Sequence, residues 1–262
     1  MGIAYAWFWR PWGRELSEAG EHEYARALTA EARERKWPNV RPRDAATLIL
    51  LDHSGGVVKV LLGRRHAGHK FMPGKFVFPG GRVERSDRQM SIARPLDSIV
   101  EDKLNARLRR PSPRLGRAIA LAAIRETFEE TGLALGVNER APLAPAGAWA
   151  RFAATNVTPA LDGLEFIARA ITPPRRPKRF DTRFLVADAA LIRHQELGIV
   201  GPDAELVELV WMPLEEAAGL DIPAITRIVL KELDAAMKGG MSKSRPRPFF
   251  YERNRIWRRD EL

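Results

Sequence analysis

The chain alternates between short apolar runs and stretches with helical spacing. Between Asp44 and Asp52 the sequence AATLILL is apolar at nearly every position and predicts a short, buried strand. Asp52-His53-Ser54-Gly55-Gly56 is a turn signal, and VVKVLLGRR then alternates into a second strand, so the pair predicts a hairpin. Phe76-Val77-Phe78 predicts a short strand that runs straight into Pro79-Gly80-Gly81. Further strands are predicted over Leu164–Ile171, Arg183–Ala187 and Leu206–Trp211. Leu115–Leu133 predicts a helix. Ile222–Met237 predicts an amphipathic one, with Ile225, Ile228, Val229, Leu233 and Met237 mostly on one face. Residues 88–117 are polar and carry Pro95, Pro111 and Pro113, as an inserted subregion would. There is no internal repeat. Interleaved strands and helices predict an α/β (α+β) class.

Composition narrows the chemistry. The 262 residues are 45% hydrophobic and 29% charged, which is ordinary for a globular protein and excludes wholesale disorder. No cysteine is present, which excludes disulfides, thiolate metal sites and a cysteine nucleophile. No apolar run is long enough to cross a bilayer, and the N-terminal order of residues is wrong for an export signal, so a soluble, cytoplasmic protein without a membrane partner is expected. The formal net charge is +10, which suits a polyanionic partner. The ends add little. Trp7, Phe8, Trp9 and Trp12 are expected to dock on the protein's own core, ahead of a polar helix from about Glu15 to Lys36. The arginine-rich, aromatic C-terminus is expected to pack its rings on the domain and leave its charges in water.

Candidate chemistry lies in Arg125-Glu126-Thr127-Phe128-Glu129-Glu130-Thr131-Gly132-Leu133. On a helix, Glu126, Glu129 and Glu130 fall at i, i+3 and i+4 and share a face. Like charges so placed repel unless neutralised, and a hard divalent cation with oxygen ligands does that. Taken alone, the triplet is more often a solvated acidic helix face. Gly132 predicts the helix stop. Upstream, Phe78-Pro79-Gly80-Gly81 is a turn that allows close backbone approach.

Together the two pieces resemble the signature of the Nudix hydrolase superfamily, G-x5-E-x7-R-E-U-x-E-E-x-G-U with U apolar. Gly81 matches the first glycine, and Asp87 stands where the family usually has glutamate. Arg125, Glu126, Glu129, Glu130, Gly132 and Leu133 match the second half, with Thr127 in place of an apolar residue. The spacing departs: 37 residues separate Asp87 from Arg125 where the pattern has 7. Closure entropy grows only logarithmically with length, so a surface loop can absorb the surplus. Val210-Trp211-Met212-Pro213-Leu214-Glu215-Glu216-Ala217 looks like the usual close of such a domain.

The resemblance implies a Nudix-type α/β/α sandwich with a central mixed sheet and a helical insertion inside the box. It implies an N-terminal extension over 1–40, a catalytic domain over 41–238 and a basic tail over 239–262. It also implies hydrolysis of a diphosphate linkage in a small phosphorylated metabolite, with Mg²⁺ or Mn²⁺. Glu129 and Glu130 are the firmest metal ligands, Glu126 is a ligand or the base that orients water, and Gly81 and Asp87 complete the expected metal set. Arg125 is expected to form an ion pair that aims a carboxylate, such as Asp87. Glu205, ahead of Asp203 and Glu196, is the candidate for a distal catalytic carboxylate.

Leu61, Leu62, Arg65, Gly74 and Phe78-Pro79-Gly80-Gly81 match part of the motif of coenzyme A diphosphatases in the superfamily. The split box is similar to that of the peroxisomal subgroup. Coenzyme A or an acyl-CoA is the substrate this implies. ADP-ribose, a dinucleotide or a nucleotide sugar is the alternative, and a nucleotide- or RNA-binding module is the other. Arg64, Arg65 and Lys70 are expected to meet substrate with Gly80 and Gly81, and Arg175, Arg176, Lys178 and Arg179 are further candidates. Three clustered carboxylates disfavour nucleic acid as the partner, and the family mildly favours a homodimer.

Overall fold

The computed structural model describes residues 28, 35–69, 72–108, 111–139 and 143–262. The aromatic docking segment at 7–12 lies outside them, as does most of the expected N-terminal helix. Leu28, which is helical and buried, is the exception.

Strands β1 (Arg43–Asp52), β2 (Lys59–Arg65), β3 (Phe76–Val77) and β4 (Gly80–Arg82) open the fold. Helix α1 (Ser98–Asn105) follows, then the long helix α2 (Pro113–Thr131) and the short strands β5 (Leu133–Leu135) and β6 (Val137–Asn138). Helix α3 (Ala148–Ala153) precedes β7 (Val157–Thr158), β8 (Glu165–Ile171), β9 (Phe180–Asp188) and β10 (Ile192–Gln195). Strand β11 (Leu206–Pro213), helices α4 (Leu214–Ala217) and α5 (Ala224–Lys238), and the hairpin β12 (Pro248–Arg253) and β13 (Ile256–Glu261) complete it.

The central sheet runs β11-β2-β1-β9-β8-β12-β13, with β3 paired to β2 and β4 to β1. It is mixed: β1 lies parallel to β9 and β12 parallel to β8, while the other pairings are antiparallel. Alternation along each strand sends side chains to opposite faces. Ala46, Leu48 and Leu50 of β1 join the core under α2, whereas Ile49 and Leu51 join the core under α5. Strand β9 divides likewise, Leu185 and Ala187 to one side and Phe184 and Val186 to the other. The run AATLILL is apolar throughout because both faces of its strand are covered, as in an α/β/α sandwich.

Helix α2 begins at Pro113, where a missing N–H is harmless, and stops at Gly132 with φ 78°. Leu133, expected as its last residue, opens β5 instead. The insertion inside the box contributes α1, capped by the Asp97 side chain accepting from the Ile99 amide, and buries Met90, Val100 and Leu104 against α2. No described helix is long and apolar enough to cross a membrane.

The expected tail over 239–262 differs from a tail. Its residues 248–261 form a hairpin that extends the central sheet through the parallel pairing of β12 with β8. Phe249 and Phe250 are buried, so the sheet crosses the boundary expected at 238.

Candidate active site

Strand β4 and the last turns of α2 bring the two halves of the box together. The Asp87 carboxylate is wholly buried in a short 3-10 turn over Ser86–Arg88. It accepts from Arg125 Nε at 2.7 Å and Nη2 at 3.1 Å. Trp149 Nε1 donates to its Oδ1 at 2.9 Å and the Glu84 amide to its Oδ2 at 2.7 Å. Each Asp87 oxygen therefore takes two donors. The expectation of Asp87 as a metal ligand is corrected on that ground: its lone pairs are committed to holding Arg125. The expected ion pair between Arg125 and a carboxylate is the one present.

Arg125 is itself buried and donates onward. Its Nη1 reaches Glu126 at 2.9 Å and Glu129 at 2.5 Å, and its Nη2 also reaches the Arg82 carbonyl at 2.9 Å. One guanidinium thus aims two carboxylates and pins the end of β4. The fork of five donors makes arginine suited to this, and lysine would not span it. Thr127, where the pattern has an apolar residue, is buried because its hydroxyl bonds back to the Ala123 carbonyl at 2.8 Å.

The two glycines act by having no side chain. A Cβ on Gly81 would stand 2.5 and 2.6 Å from the two Glu126 carboxylate oxygens, and one on Gly80 would meet the backbone of β1 at Ala46 and Thr47. The Gly80 amide donates to Glu130 Oε2 at 3.1 Å. Gly81 makes room for Glu126.

Electrostatics mark the same carboxylates. Burial pushes Glu126 up to about 7, against the pull of Arg125. Glu130 is raised well above the usual carboxylate range, first by burial and then by the charges of Glu205 and Glu126. Glu205 reaches the site from the loop before β11 and pairs with Arg65 at 3.0 Å. Glu196 lies elsewhere: its amide bonds the Gly132 carbonyl past the end of α2, and its carboxylate stands 3.5 Å from Arg151. The expected basic residues scatter. Arg64 is exposed and pairs with Glu208 at 2.8 Å, and Arg179 ties the Thr172 and Val40 carbonyls to Asn39. Lys70 lies outside the described residues.

Among the described residues, no three His, Asp or Glu side chains are grouped so as to hold a metal ion, and Arg125 bonds both Glu126 and Glu129. The donor chemistry nonetheless fits a hard cation. The donors are oxygens, and burial disfavours the ionised forms of Glu126 and Glu130, a cost that a hard cation would offset. Trp149 escaped the sequence reading. It sits 62 positions from Asp87, and nothing in the motif marks it.

No protein-family model and no curated protein matches the chain. Solved structures do. A NUDIX hydrolase from Alicyclobacillus acidocaldarius is 28% identical, over 79% of this chain and 97% of that one, with a TM-score of 0.58. The Nudix hydrolase RenU from M. smegmatis is 20% identical over 75% and 86%, with a TM-score of 0.39. The NUDIX domain of Shewanella oneidensis NrtR, solved with ADP ribose, is 13% identical over 83% and 98%, with a TM-score of 0.43. With the two halves of the box closed into one site, the chain shares the fold of the Alicyclobacillus NUDIX hydrolase across most of both chains, and its neighbours support a Nudix-type hydrolase.

Proposed function

We propose that the protein hydrolyses a diphosphate linkage in a nucleoside-diphosphate-linked metabolite, with coenzyme A or an acyl-CoA as the substrate. The observation that carries the hydrolase reading is the Arg125–Asp87 pair. It sets Glu126 and Glu130 against Gly80-Gly81 despite the interruption between them. A divalent cation bound by Glu126, Glu129 and Glu130 would neutralise phosphate oxygens and steady the leaving group. The chain's own part is positional. Gly81 makes room for the Glu126 carboxylate, and Gly80 lets the turn lie against β1 while its amide holds Glu130. Glu126, held by Arg125 at 2.9 Å, serves as a ligand of that cation or as the base that orients the attacking water. Arg125 fixes Glu126 and Glu129 and is a positioning residue. Glu205 stands near enough for its charge to be felt at Glu130 and is the reading's second carboxylate.

The preference for coenzyme A rests on the motif residues Leu61, Leu62, Arg65, Gly74 and Phe78 to Gly81. Arg65 is largely buried beside Glu205, within the site rather than on an outer loop. The test is a substrate panel with Mg²⁺ or Mn²⁺: coenzyme A, an acyl-CoA, ADP-ribose, a dinucleotide and a nucleotide sugar. Release of adenosine 3′,5′-bisphosphate from the first two supports the assignment, and turnover confined to ADP-ribose would transfer it to that class. Loss of turnover in Glu129→Gln with the fold retained is expected of an enzyme. RNA binding that survives Glu129→Gln, without turnover of any diphosphate, would replace the reading with a binding module.

A further inference from the structure

Beside the box lies an open groove of about 1130 Å³ whose walls are dominated by arginine. Arg41 and Arg43 line it from the start of β1, and Arg85 and Arg88 from the box loop. Arg82, Arg107 and Arg169 contribute as well, the second of these from the insertion after α1. Three carboxylates share the walls, and each is already engaged. Asp44 accepts from Arg183 at 2.7 Å, Asp181 from Arg169 at 2.7 Å, and Glu84 from Arg82 at 2.9 Å. Arg107 pairs with Asp260.

That leaves Arg41, Arg43, Arg85 and Arg88. All four are exposed, and none has a carboxylate partner among the described residues. Arg183, wholly buried, is committed to Asp44 at 2.7 Å and to Asp181 at 3.3 Å, so those two carboxylates are not free to neutralise the four. Unpaired arginines scattered over a convex surface are commonly just solvated. Four gathered along one concavity repel each other, and a concave wall concentrates their field. An anion with several acceptor oxygens relieves that repulsion, and guanidinium forks match phosphate geometry.

The groove also adjoins the reaction centre. Its wall begins at Arg82, one residue past Gly81, and the Arg82 carbonyl is held by Arg125. A ligand in the groove and a diphosphate at Glu126 therefore share the segment from Gly80 to Arg88. We propose that this groove binds a phosphomonoester that the substrate carries apart from its diphosphate, with Arg41, Arg43, Arg85 and Arg88 as its ligands. The inference rests on the diphosphatase reading for its substrate, but not for the binding itself. The insertion inside the box acquires a role: it raises the far wall at Arg107 and Leu108.

The test uses the full chain and a matched pair, coenzyme A and its 3′-dephospho form, which differ in that group alone. The expected kcat/KM ratio of the pair is on the order of 10- to 100-fold in favour of the phosphorylated form, carried mainly by KM. In Arg41→Ser/Arg88→Ser it should fall toward one. The separate variant Arg85→Ser should lower it partway, and guards against a folding defect in the first. A wild-type ratio near one, or a ratio that the variants leave intact, overturns the proposal. Binding of adenosine 3′,5′-bisphosphate is measured by calorimetry alongside. If no diphosphate is hydrolysed but the bisphosphate binds and the double variant loses it, the groove stands and the hydrolase reading falls. If the bisphosphate does not bind, or if single-stranded RNA binds more tightly and is lost in the same variant, the proposal falls.

Discussion

Arg125 and Asp87 meet through two hydrogen bonds of 2.7 and 3.1 Å although 38 positions separate them in the chain. The contact is buried on both sides, and it carries Glu126 and Glu129 with it.

Asp87→Asn should therefore damage fold and site together. It removes the fully buried carboxylate that takes two of the Arg125 donors and leaves that guanidinium only Glu126 and Glu129, at a cost of up to about 3–5 kcal/mol. Trp149→Phe removes only one donor to Asp87 and should cost about 1–3 kcal/mol. Urea unfolding of the two variants checks the ranking, and equal stabilities would refute the role given to the ion pair.

The two glycines should fail differently. In Gly81→Ala the new methyl meets the end of the Glu126 side chain, which can swing away. Thermal stability should stay near that of the wild type while turnover drops by about 100-fold or more, the scale of losing a positioned acid–base group. In Gly80→Ala the methyl meets β1 backbone, which cannot move aside, so the melting temperature itself should fall.

Stability should fall as pH rises toward neutrality when divalent cations are chelated. Glu126 and Glu130 have folded pKa values above their ordinary ones, so between pH 4.5 and about 7 the native state binds more protons than the unfolded chain. Their contribution is complete below the unfolded value and is lost as pH climbs through the folded one. The loss due to Glu126 is on the order of 3 kcal/mol. Denaturation in EDTA across this range should show the slope, and Glu126→Gln should flatten it.

Added Mn²⁺ should reverse that loss. A cation needs the carboxylates ionised, so the rise in melting temperature should be larger at pH 8 than at pH 5.5. Glu130→Gln should abolish most of it. An identical shift in wild type and variant would place the ion elsewhere.

Glu205→Gln tests the distal carboxylate. Turnover should drop by about 100-fold with little change in stability, since Glu205 is half-exposed and its ion pair with Arg65 is single. Unchanged turnover would remove Glu205 from the machinery.

Much of the scaffold could be read from apolar periodicity alone. The strand near 44–52, the hairpin after it and the amphipathic helix near 222–237 are all present, because each has a pattern that only one local structure satisfies. The C-terminal hairpin was not foreseen. In PFFYER and IWRRDE rings and arginines alternate, which reads equally as a basic tail or as a strand with one dry face. Its two-residue turn, Asn254-Arg255, takes positive φ at both positions without the glycine that would have announced it. Within the site, the acidic triplet and glycine turn were visible as residue types. The saturation of Asp87 was not, since no sequence shows how many donors will crowd one carboxylate. Arg41, Arg85 and Arg88 were likewise invisible as a group, because they converge only after the chain has folded.

The insertion between Asp87 and Arg125 departs from the box and returns to it while side chains, not peptide bonds, keep the two ends in register. Evolution could lengthen, trim or rewrite that excursion and leave the water-splitting geometry untouched. Which molecules are admitted could then drift over generations while the reaction performed on them stays constant.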